Sequence, residues 1–364
     1  KEIIDWCKRV DDGPFSSISC GERITGYTLE MRNMLAFAAA VATSAASDDS
    51  AALAIAGPQS PATLSAFGFF DGGAARPSSR LIPYELRTPL FSDYAAKQRF
   101  IYVPDGAHIG ADADGKLIFP VGSALIKSFG YPAKSGGLNV IETRVLLHQA
   151  QGWVALPYVW RADGKDADLR VGGRRVPVTF AHSGNDLSIN YSVPNKNQCK
   201  QCHSAAGNIM PIGPIWQNMA FPRPADARTI VKAVPALARL QPYPKWDDSR
   251  TGSLDDRARQ YLKVNCGHCH APQGSASNSG LFLDGSATGA AALGVGKRPV
   301  AAGRASGDLD FIIAPGQPDQ SILIKRMEST DPGIAMPELG RSTVHEEGVE
   351  LLRQWIAAMP SNTH

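Results

Sequence analysis

The chain has 364 residues, of which 43% are apolar and 20% are charged. This length predicts two or three domains, and the composition excludes a disordered chain. The 37 basic and 34 acidic residues give a net charge of +3 with no long run of one sign, so no nucleic-acid partner is expected. The longest strongly apolar stretch, 34–42, is far shorter than the ~18 to 20 residues of a spanning helix, so we expect no transmembrane segment.

The beginning of the chain has the layout of a secretory signal. Residues 31–46 combine a basic residue, a short apolar run and small residues near the end; an ordinary buried helix is the alternative. Cleavage after Ala46 would remove Cys7 and Cys20 and leave four cysteines, as an oxidising compartment favours. We therefore expect residues 1–46 to be an upstream or signal-like segment that is absent from the mature protein, and the protein to be exported to the periplasm.

Residues 77–193 alternate between short apolar runs and turn residues. The runs are rich in aromatic and β-branched residues and are separated by glycine or proline, which predicts about six strands. They are FIYVPDG (100–106), KLIFPVGSALIKSFGYP (116–132), NVIETRVLLH (139–148), GWVALPYVW (152–160), RRVPVTF (174–180) and LSINYSV (187–193). We expect a β-sandwich-like N-terminal domain over residues 77–215 that carries the first of two cysteine motifs.

The four remaining cysteines form two copies of the pattern Cys-x-x-Cys-His. The copies are Cys199, Cys202 and His203, and Cys266, Cys269 and His270. This pattern is typical of c-type haem attachment, because two such thiols reach both vinyl groups of one porphyrin edge and the adjacent imidazole lies under the iron. A zinc site is the alternative, but paired Cys-x-x-Cys knuckles usually lie ~15 to 20 residues apart, much closer than here. The motifs predict two covalently attached haem c (Fe) groups.

Beyond the first motif the pattern changes from strand to helix. Residues 216–250 are rich in proline and alanine, with one helix expected over 225–240, and are typical of a linker. Ser253 and Asp256 then form a capping pair that predicts a helix ending at the second motif. We expect the domain 251–364 to be all α.

Two further helices are expected in this last domain. A short one follows the turn at 315–318, and a capping box from Thr343 to Glu346 predicts a terminal helix. The order of helix, haem motif, loop, short helix, Met-Pro and terminal helix resembles the class I cytochrome c fold. The expected fold class is therefore α+β, a β-sandwich-like N-terminal domain plus an all-α class I cytochrome c domain.

The haem irons of an electron carrier normally have a sixth, distal ligand. Met336, before Pro337 in the loop that leads to the terminal helix, is the expected distal ligand of the second haem, with His270 as its proximal ligand. For the first haem, with proximal His203, Met210 is a tentative distal ligand, and an open sixth position is the alternative.

The other methionines and histidines have structural interpretations. Met327 and Met359 lie on apolar helical stripes and are expected in the core, while His345, inside the capping box, is expected at the surface. Met219, His148 and His182 are the remaining rivals for the first iron, and His182 is interpreted as a turn residue.

The motifs and their surroundings resemble a family of exported bacterial di-haem c-type cytochromes. The similarity is carried by YELRTPLFSDYAAKQRFIYVPDG (84–106), NQCKQCH with PIGP (197–214), SLDDRARQYLKVNCGHCHAPQGSASNSGLFLD (253–284), and PGQPDQSILIKRM with MPELGRSTVHEEGVELLRQWI (315–356). The resemblance implies an electron-transfer role carried by the six motif residues and Met336. Residues 1–40 instead resemble a fragment of a luciferase-like flavin monooxygenase.

The β-rich half has a second resemblance. FPVGSALIKSF (119–129), the tryptophans Trp153 and Trp160 and the following motif are similar to β-sheet cytochromes with a lysine-crosslinked haem, which oxidise hydroxylamine. This resemblance implies that Lys127 occupies the neighbourhood of the crosslinking lysine. A solvated strand lysine is the alternative.

Two functions follow as hypotheses. The first is a periplasmic di-haem carrier that passes single electrons between redox partner proteins, a dehydrogenase on one side and an oxidase or soluble cytochrome on the other. The second is a haem oxidoreductase whose first haem keeps an open site for a small substrate. No acid-base or nucleophilic constellation competes with them, so a carrier is favoured over an enzyme.

Overall fold

An antiparallel sheet of seven strands dominates the computed structural model, which describes residues 50–360 except 58, 75, 134, 135, 206, 287, 288 and 302. The expectations for residues 1–46, the signal and the flavin-enzyme fragment, lie outside the described residues. The strands are β1 (Ile82–Leu86), β2 (Ala96–Tyr102), β3 (Gly110–Ala111), β4 (Leu117–Ile118), β5 (Ala124–Pro132), β6 (Leu138–Gln149), β7 (Gly152–Trp160), β8 (Ala167–Leu169), β9 (Arg174–His182), β10 (Asn185–Val193), β11 (Ser204–Ala205), β12 (Asn208–Ile209) and β13 (Met219–Ala220). The helices are α1 (Ser50–Ala56), α2 (Lys196–Cys202), α3 (Pro224–Ala233), α4 (Leu254–Asn265), α5 (Ile322–Glu328) and α6 (Glu346–Ala357).

The strand order in the large sheet is β13-β1-β2-β5-β6-β7-β8. On one face, Phe100, Ile126 and Val145 lie directly opposite one another on β2, β5 and β6 and are buried. They share a hydrophobic cluster with Phe67 and Phe69 of the segment that precedes the sheet. Alternation of side chains along each strand places the neighbouring residues on the other face.

The other face of the sheet is covered in two places. At one end, Ile101 and Leu125 pack with Cys199 of α2 and Ile230 of α3. At the other end, Phe129 packs against the hairpin formed by β9 and β10. The strands expected from the apolar runs are confirmed, and their pairing brings the first cysteine motif onto this face.

The expected β-sandwich is wrong, because the second layer is a single two-stranded hairpin accompanied by helices. After Val193 the chain leaves β10 and enters α2, whose N-terminus is closed by a capping box between Asn195 and Gln198. Each of these residues satisfies a backbone N–H of the other, which favours a helix where a sandwich would need another strand. In the expected linker, Ile230 and Leu237 are buried in the core.

The expected all-α class I cytochrome c domain over residues 251–364 is also wrong. Among its described residues, α4, α5 and α6 span only 12, 7 and 12 residues. Turns and loops rich in glycine, serine and alanine connect them, because glycine and serine favour turns over helix interiors. Residues 251–360 form one compact unit with the sheet, and the described residues are mostly sheet with few helices.

The two predicted capping boxes have different outcomes. The box of Ser253 and Asp256 is confirmed at the start of α4. The box from Thr343 to Glu346 is wrong, since α6 begins after His345 without a side-chain cap. The hydroxyl and amide of Thr343 instead donate to the carboxylate of Asp93, at 3.0 and 2.8 Å.

Asp93 joins the sheet half to the C-terminal half. Its carboxylate, on a residue only 2% exposed, also accepts hydrogen bonds from the amide of Ser342 at 2.6 Å and from its hydroxyl at 3.1 Å. Nearby, the amide of Phe91 donates to Asn265, the last residue of α4, at 2.8 Å. These bonds hold the helix before the second motif against the loop that leads into β2.

His345 belongs to the same junction, so its expected surface position is wrong. Its side chain is 13% exposed, stacks on Phe91 with ring centres 4.2 Å apart, and lies 2.8 Å from the hydroxyl of Tyr261. The predicted core position of Met327 is confirmed, whereas Met359 is only partly buried against the same cluster.

Candidate functional site

The two cysteine motifs have the same local backbone geometry. The amide of His203 donates to the carbonyl of Cys199 at 3.0 Å, and the amide of His270 donates to the carbonyl of Cys266 at 2.9 Å. In the first motif this turn is the end of α2, and in the second it follows α4. Each histidine therefore lies one helical turn after the first cysteine of its motif.

The imidazole of His203 is fixed by the backbone of Met210. Nδ1 of His203 lies 3.2 Å from the carbonyl oxygen of Met210, and the amide of Met210 donates to the carbonyl of His203 at 2.8 Å. The short hairpin of β11 and β12 brings the two residues together. A carbonyl can only accept, so Nδ1 carries the proton and Nε2 keeps its lone pair.

The imidazole of His270 is fixed by a side chain instead. Its Nδ1 lies 3.1 Å from Oγ of Ser279, and that hydroxyl donates to the carbonyl of Ala276 at 2.7 Å. Because the serine proton is used in the second bond, Oγ accepts from Nδ1. Among the described residues, neither His203 nor His270 has a hydrogen-bond partner at Nε2.

The second cysteines of the two motifs lie side by side. The sulfur atoms of Cys202 and Cys269 and a ring nitrogen of His268 are all within 4.8 Å of one another. A hydrogen bond between the two thiols raises the pKa of Cys202 and lowers that of Cys269. A cleft of about 340 Å³ lies beside this contact and is lined by residues near both motifs, including Lys200 and Ser275.

All four motif cysteines are free thiols. Burial raises the pKa of Cys199 and raises that of Cys266 to about 12, so both thiols are protonated at neutral pH. Burial, together with the charges of Lys127 and Arg144, lowers the pKa of His203 to about 4. The first motif thus has a neutral imidazole next to positive side chains.

The positive side chains form a row across the sheet. Arg99 on β2 lies opposite Lys127 on β5, and Lys127 lies opposite Arg144 on β6. We call Arg99, Lys127 and Arg144 the cation row. Burial lowers the pKa of both Arg99 and Lys127. For Arg144 burial acts in the same direction, but the charge of Glu142, its hydrogen bond and the neighbouring Tyr191 together outweigh burial, so that the pKa of Arg144 rises.

Met336 lies in a loop attached to α5. Its amide donates to the carbonyl of Arg326 at 3.0 Å, and its carbonyl accepts from Nη2 of Arg341 at 2.8 Å. The pKa of His270 is lowered by burial and also by the charge of Arg326. Arg326 therefore lies near both His270 and the Met336 loop.

The other histidines and methionines considered at the sequence level lie in the core or at the junction. The ring of His148 stacks on that of Trp153, with ring centres 4.5 Å apart, and Nδ1 of His148 lies 2.9 Å from the carbonyl oxygen of Phe119. Met219 is buried in the cluster that also contains Ile101, Leu125 and Cys199. His182 ends β9, and its ring centre lies 3.8 Å from that of Tyr94.

Sequence reasoning missed Arg99, Arg144 and Ser279. The alternation of strand residues could have placed Arg99 and Arg144 on one face, but their alignment with Lys127 depends on strand register. Ser279 gave no signal, because a serine in a glycine-rich loop is ordinarily a turn residue.

The chain matched nothing in comparisons with models of protein families, with curated proteins and with solved structures. Among the helices of residues 50–360 that are described, none has the length and apolar character needed to span a membrane.

Proposed function

We propose that the chain carries two covalently attached haem c groups and passes single electrons between redox proteins in the periplasm. Cys199 and Cys202 would attach the first haem, with His203 as proximal ligand. Cys266, Cys269 and His270 would hold the second in the same way. When bound, each haem supplies a one-electron couple at its iron.

The observation that carries this proposal is the state of the two histidines. A metal-ligating histidine commonly donates its other ring N–H to a carbonyl or similar acceptor, which fixes the tautomer and the ring orientation. His203 and His270 each have this arrangement, with Nδ1 held and Nε2 without a partner among the described residues. His148, in the core, is also held through Nδ1 by a backbone carbonyl, so it is this arrangement together with the adjacent Cys-x-x-Cys pair that favours His203 and His270 as axial ligands.

The cysteines fit the same role. Thioether formation consumes free thiols, and all four motif cysteines are reduced and unpaired. In each motif the helical turn keeps the first cysteine and the histidine in fixed relative positions, as simultaneous attachment and ligation require. Zinc bound by Cys202, His268 and Cys269 would use the same thiols, so haem attachment and zinc binding exclude each other.

We propose Met336 as the distal ligand of the second haem. Support comes from its loop, which Arg341 and the carbonyl of Arg326 hold beside α5, and from the proximity of Arg326 to His270. Met336→Ala should abolish the weak thioether-to-iron absorption band at the red end of the visible spectrum and lower the second haem's potential. Met359→Leu, which alters a methionine packed on the core, is the control and should leave both unchanged.

Electron transfer is tested by a redox titration of the haem-loaded protein followed in the visible spectrum. Two one-electron transitions are expected, and Cys199→Ser with Cys202→Ser should remove one of them, while Cys266→Ser with Cys269→Ser should remove the other. A stopped-flow mixture with a soluble c-type cytochrome should show electron exchange in both directions. An unchanged spectrum over the titration would contradict a redox role.

The position of Met210 favours a second candidate function, an oxidoreductase with an open first haem. Its carbonyl already holds Nδ1 of His203, so Met210 would fix the proximal imidazole, and another residue would have to supply a sixth ligand to a bound iron, or that position would stay open. Rapid carbon monoxide binding by the reduced protein at one haem equivalent, unchanged by Met210→Ala, would support this candidate over the carrier. Slow binding at both irons, made fast by Met210→Ala, would support the carrier with Met210 as distal ligand.

A further inference from the structure

The cation row has more positive charge than its surroundings balance. Among the described residues, the carboxylate within ion-pair distance of the row is that of Glu142, which is fully buried and lies 2.5 Å from Nη2 of Arg144. The hydroxyl of Tyr191 also donates to Glu142, at 2.6 Å. Glu142 is therefore held by Arg144 and Tyr191, and the charges of Glu85 and Glu142 act on Arg99 and Lys127 without forming an ion pair with either of them.

Arg99 has an unused hydrogen-bond donor. Its side chain belongs to a residue only 6% exposed, and its Nη2 atom is buried with no hydrogen-bond partner. A buried donor without a partner costs about 1 to 3 kcal/mol, and more when it is charged. Within the described residues, Arg99 forms no ion pair, so an external acceptor would satisfy it.

Lys127, which is half-buried, also lacks a hydrogen-bonding partner among the described residues. Its ammonium lies 4.8 Å from the centre of the Phe129 ring and forms no hydrogen bond or ion pair with another described residue. The same ring is approached by Lys97 at 5.9 Å and by Arg144 at 4.2 Å. Cations directly opposite one another in a sheet repel, and burial strengthens the repulsion because the local dielectric is low.

Lys127 is half-buried, and Leu125, two residues earlier on the same face of β5, packs with Cys199 of the first motif. The charge of Lys127 acts on His203, and the charge of Arg144 acts on both His203 and Cys199. A group bound to the row therefore lies beside the first motif. Arginine and lysine together bind carboxylates and oxyanions, arginine through two parallel hydrogen bonds.

We propose that Arg99, Lys127 and Arg144 form a binding site for a multiply charged carboxylate or oxyanion beside the first Cys-x-x-Cys-His motif. Two sources have this chemistry, the carboxylates of a porphyrin attached at Cys199 and Cys202, and a free oxyanion. The first source rests on the proposed function, and the second does not.

Calorimetric titration with inorganic phosphate distinguishes the sources in two forms of the full chain. One form is the haem-loaded protein, and the other is Cys199→Ser with Cys202→Ser, which cannot attach the first haem. Binding in both forms identifies a free oxyanion site, whereas binding only in the serine variant shows that the porphyrin carboxylates occupy the row. The absence of phosphate binding in both forms overturns the proposal.

Substitutions in the cation row provide a second test, in which the affinity for phosphate is measured. Arg99→Gln or Lys127→Gln should weaken phosphate binding at least about tenfold, because each removes a charge-assisted hydrogen bond. Lys127→Arg should retain binding, and Lys232→Gln, on the exposed side of α3, should not alter it although it changes the net charge equally. Equal affinity in the Arg99, Lys127 and Lys232 variants overturns the site.

If the variant with Cys199→Ser and Cys202→Ser does not fold, thermal unfolding of the haem-loaded protein tests whether an anion occupies the cation row. With an anion on the row, Lys127→Met removes an attractive interaction and lowers the melting temperature of the haem-loaded protein. Without an anion, the same substitution relieves repulsion among buried cations and raises the melting temperature, which contradicts the proposal. Haem content, measured separately in each variant, distinguishes failure of the anion site from failure of haem attachment.

Discussion

The two cysteine motifs share a backbone turn but lie in different surroundings. The first is at the end of α2, against a sheet face that carries the cation row, and a backbone carbonyl holds its histidine. The second follows α4 among loops, and the hydroxyl of Ser279 holds its histidine. The motif sequence therefore dictates the local turn, and the surrounding fold sets the charge and the rigidity of each site.

The largest expected difference between the sites concerns what each proposed haem would stabilise. The sheet has hydrophobic clusters on both faces, whereas residues 251–360 share one cluster, to which short helices and long loops contribute. Cys266→Ser with Cys269→Ser should therefore speed amide hydrogen exchange in α4, α5 and α6 at least about tenfold, because a helix that loses its packing partners unfolds locally. Cys199→Ser with Cys202→Ser should leave exchange in β5 and β6 nearly unchanged. Equal effects in both regions would contradict the distinction.

The junction between the two regions depends on Asp93. Asp93→Ala removes the acceptor of four hydrogen bonds from Ser342 and Thr343. Because hydrogen bonds to a buried charged group contribute about 1.5 to 3 kcal/mol, the free energy of unfolding should fall by about 3 kcal/mol in a urea titration.

Asp310→Ala is the matched control for Asp93. Asp310 pairs with Arg298 at an exposed position, so its loss should cost less than about 1 kcal/mol. A similar loss in both variants would show that the Asp93 contacts do not hold the two regions together.

The same junction should give the protein a pH dependence. Burial lowers the pKa of His345 to about 4, below the ~6.5 of an unfolded histidine. The stabilisation from neutral His345 is complete above pH 6.5 and is lost as the pH falls toward 4, by roughly 2 kcal/mol after allowance for solvent screening. Urea unfolding between pH 7 and pH 4 measures this loss, and His345→Gln should reduce the slope. An unchanged slope would assign the pH dependence to other groups.

The smallest expected effect concerns the different hydrogen-bond acceptors at Nδ1 of His203 and His270. Ser279→Ala removes the acceptor at Nδ1 of His270, which would make the imidazole a weaker donor to the iron of the proposed second haem and raise that haem's potential. The shift should be about 40 mV, corresponding to about 1 kcal/mol, and the first haem's potential should not change. Ser277→Ala, in the same turn, is the control. A shift at both haems would mean that the sites are not independent.

Local signals in the sequence predicted the local structure well. The motifs, the strands β5, β6 and β7, and the cap at Ser253 all depend on residues close together in the chain. The cap expected at Thr343 failed because Asp93, 250 residues earlier, provides a buried acceptor for its amide and hydroxyl. A competing partner that is distant in sequence leaves no local signal.

The architecture and part of the site depend on such distant pairings. The all-α expectation followed the order of motifs and overlooked how few residues between 274 and 321 favour helix over turn. The alignment of Arg99, Lys127 and Arg144 requires the register of three strands, and a shift of one residue would move each to the opposite face. Only the position of Lys127 near the first motif was expected beforehand, from the resemblance of residues 119–129 to β-sheet cytochromes.

The presence of two haem groups is tested most directly by the intact mass of the protein purified from the periplasm of a host that matures c-type cytochromes. The account predicts a denaturation-resistant mass increase of two haem groups, with one lost in Cys199→Ser with Cys202→Ser and the other in Cys266→Ser with Cys269→Ser. A mass without haem, or stoichiometric zinc on Cys202 and Cys269, would contradict it.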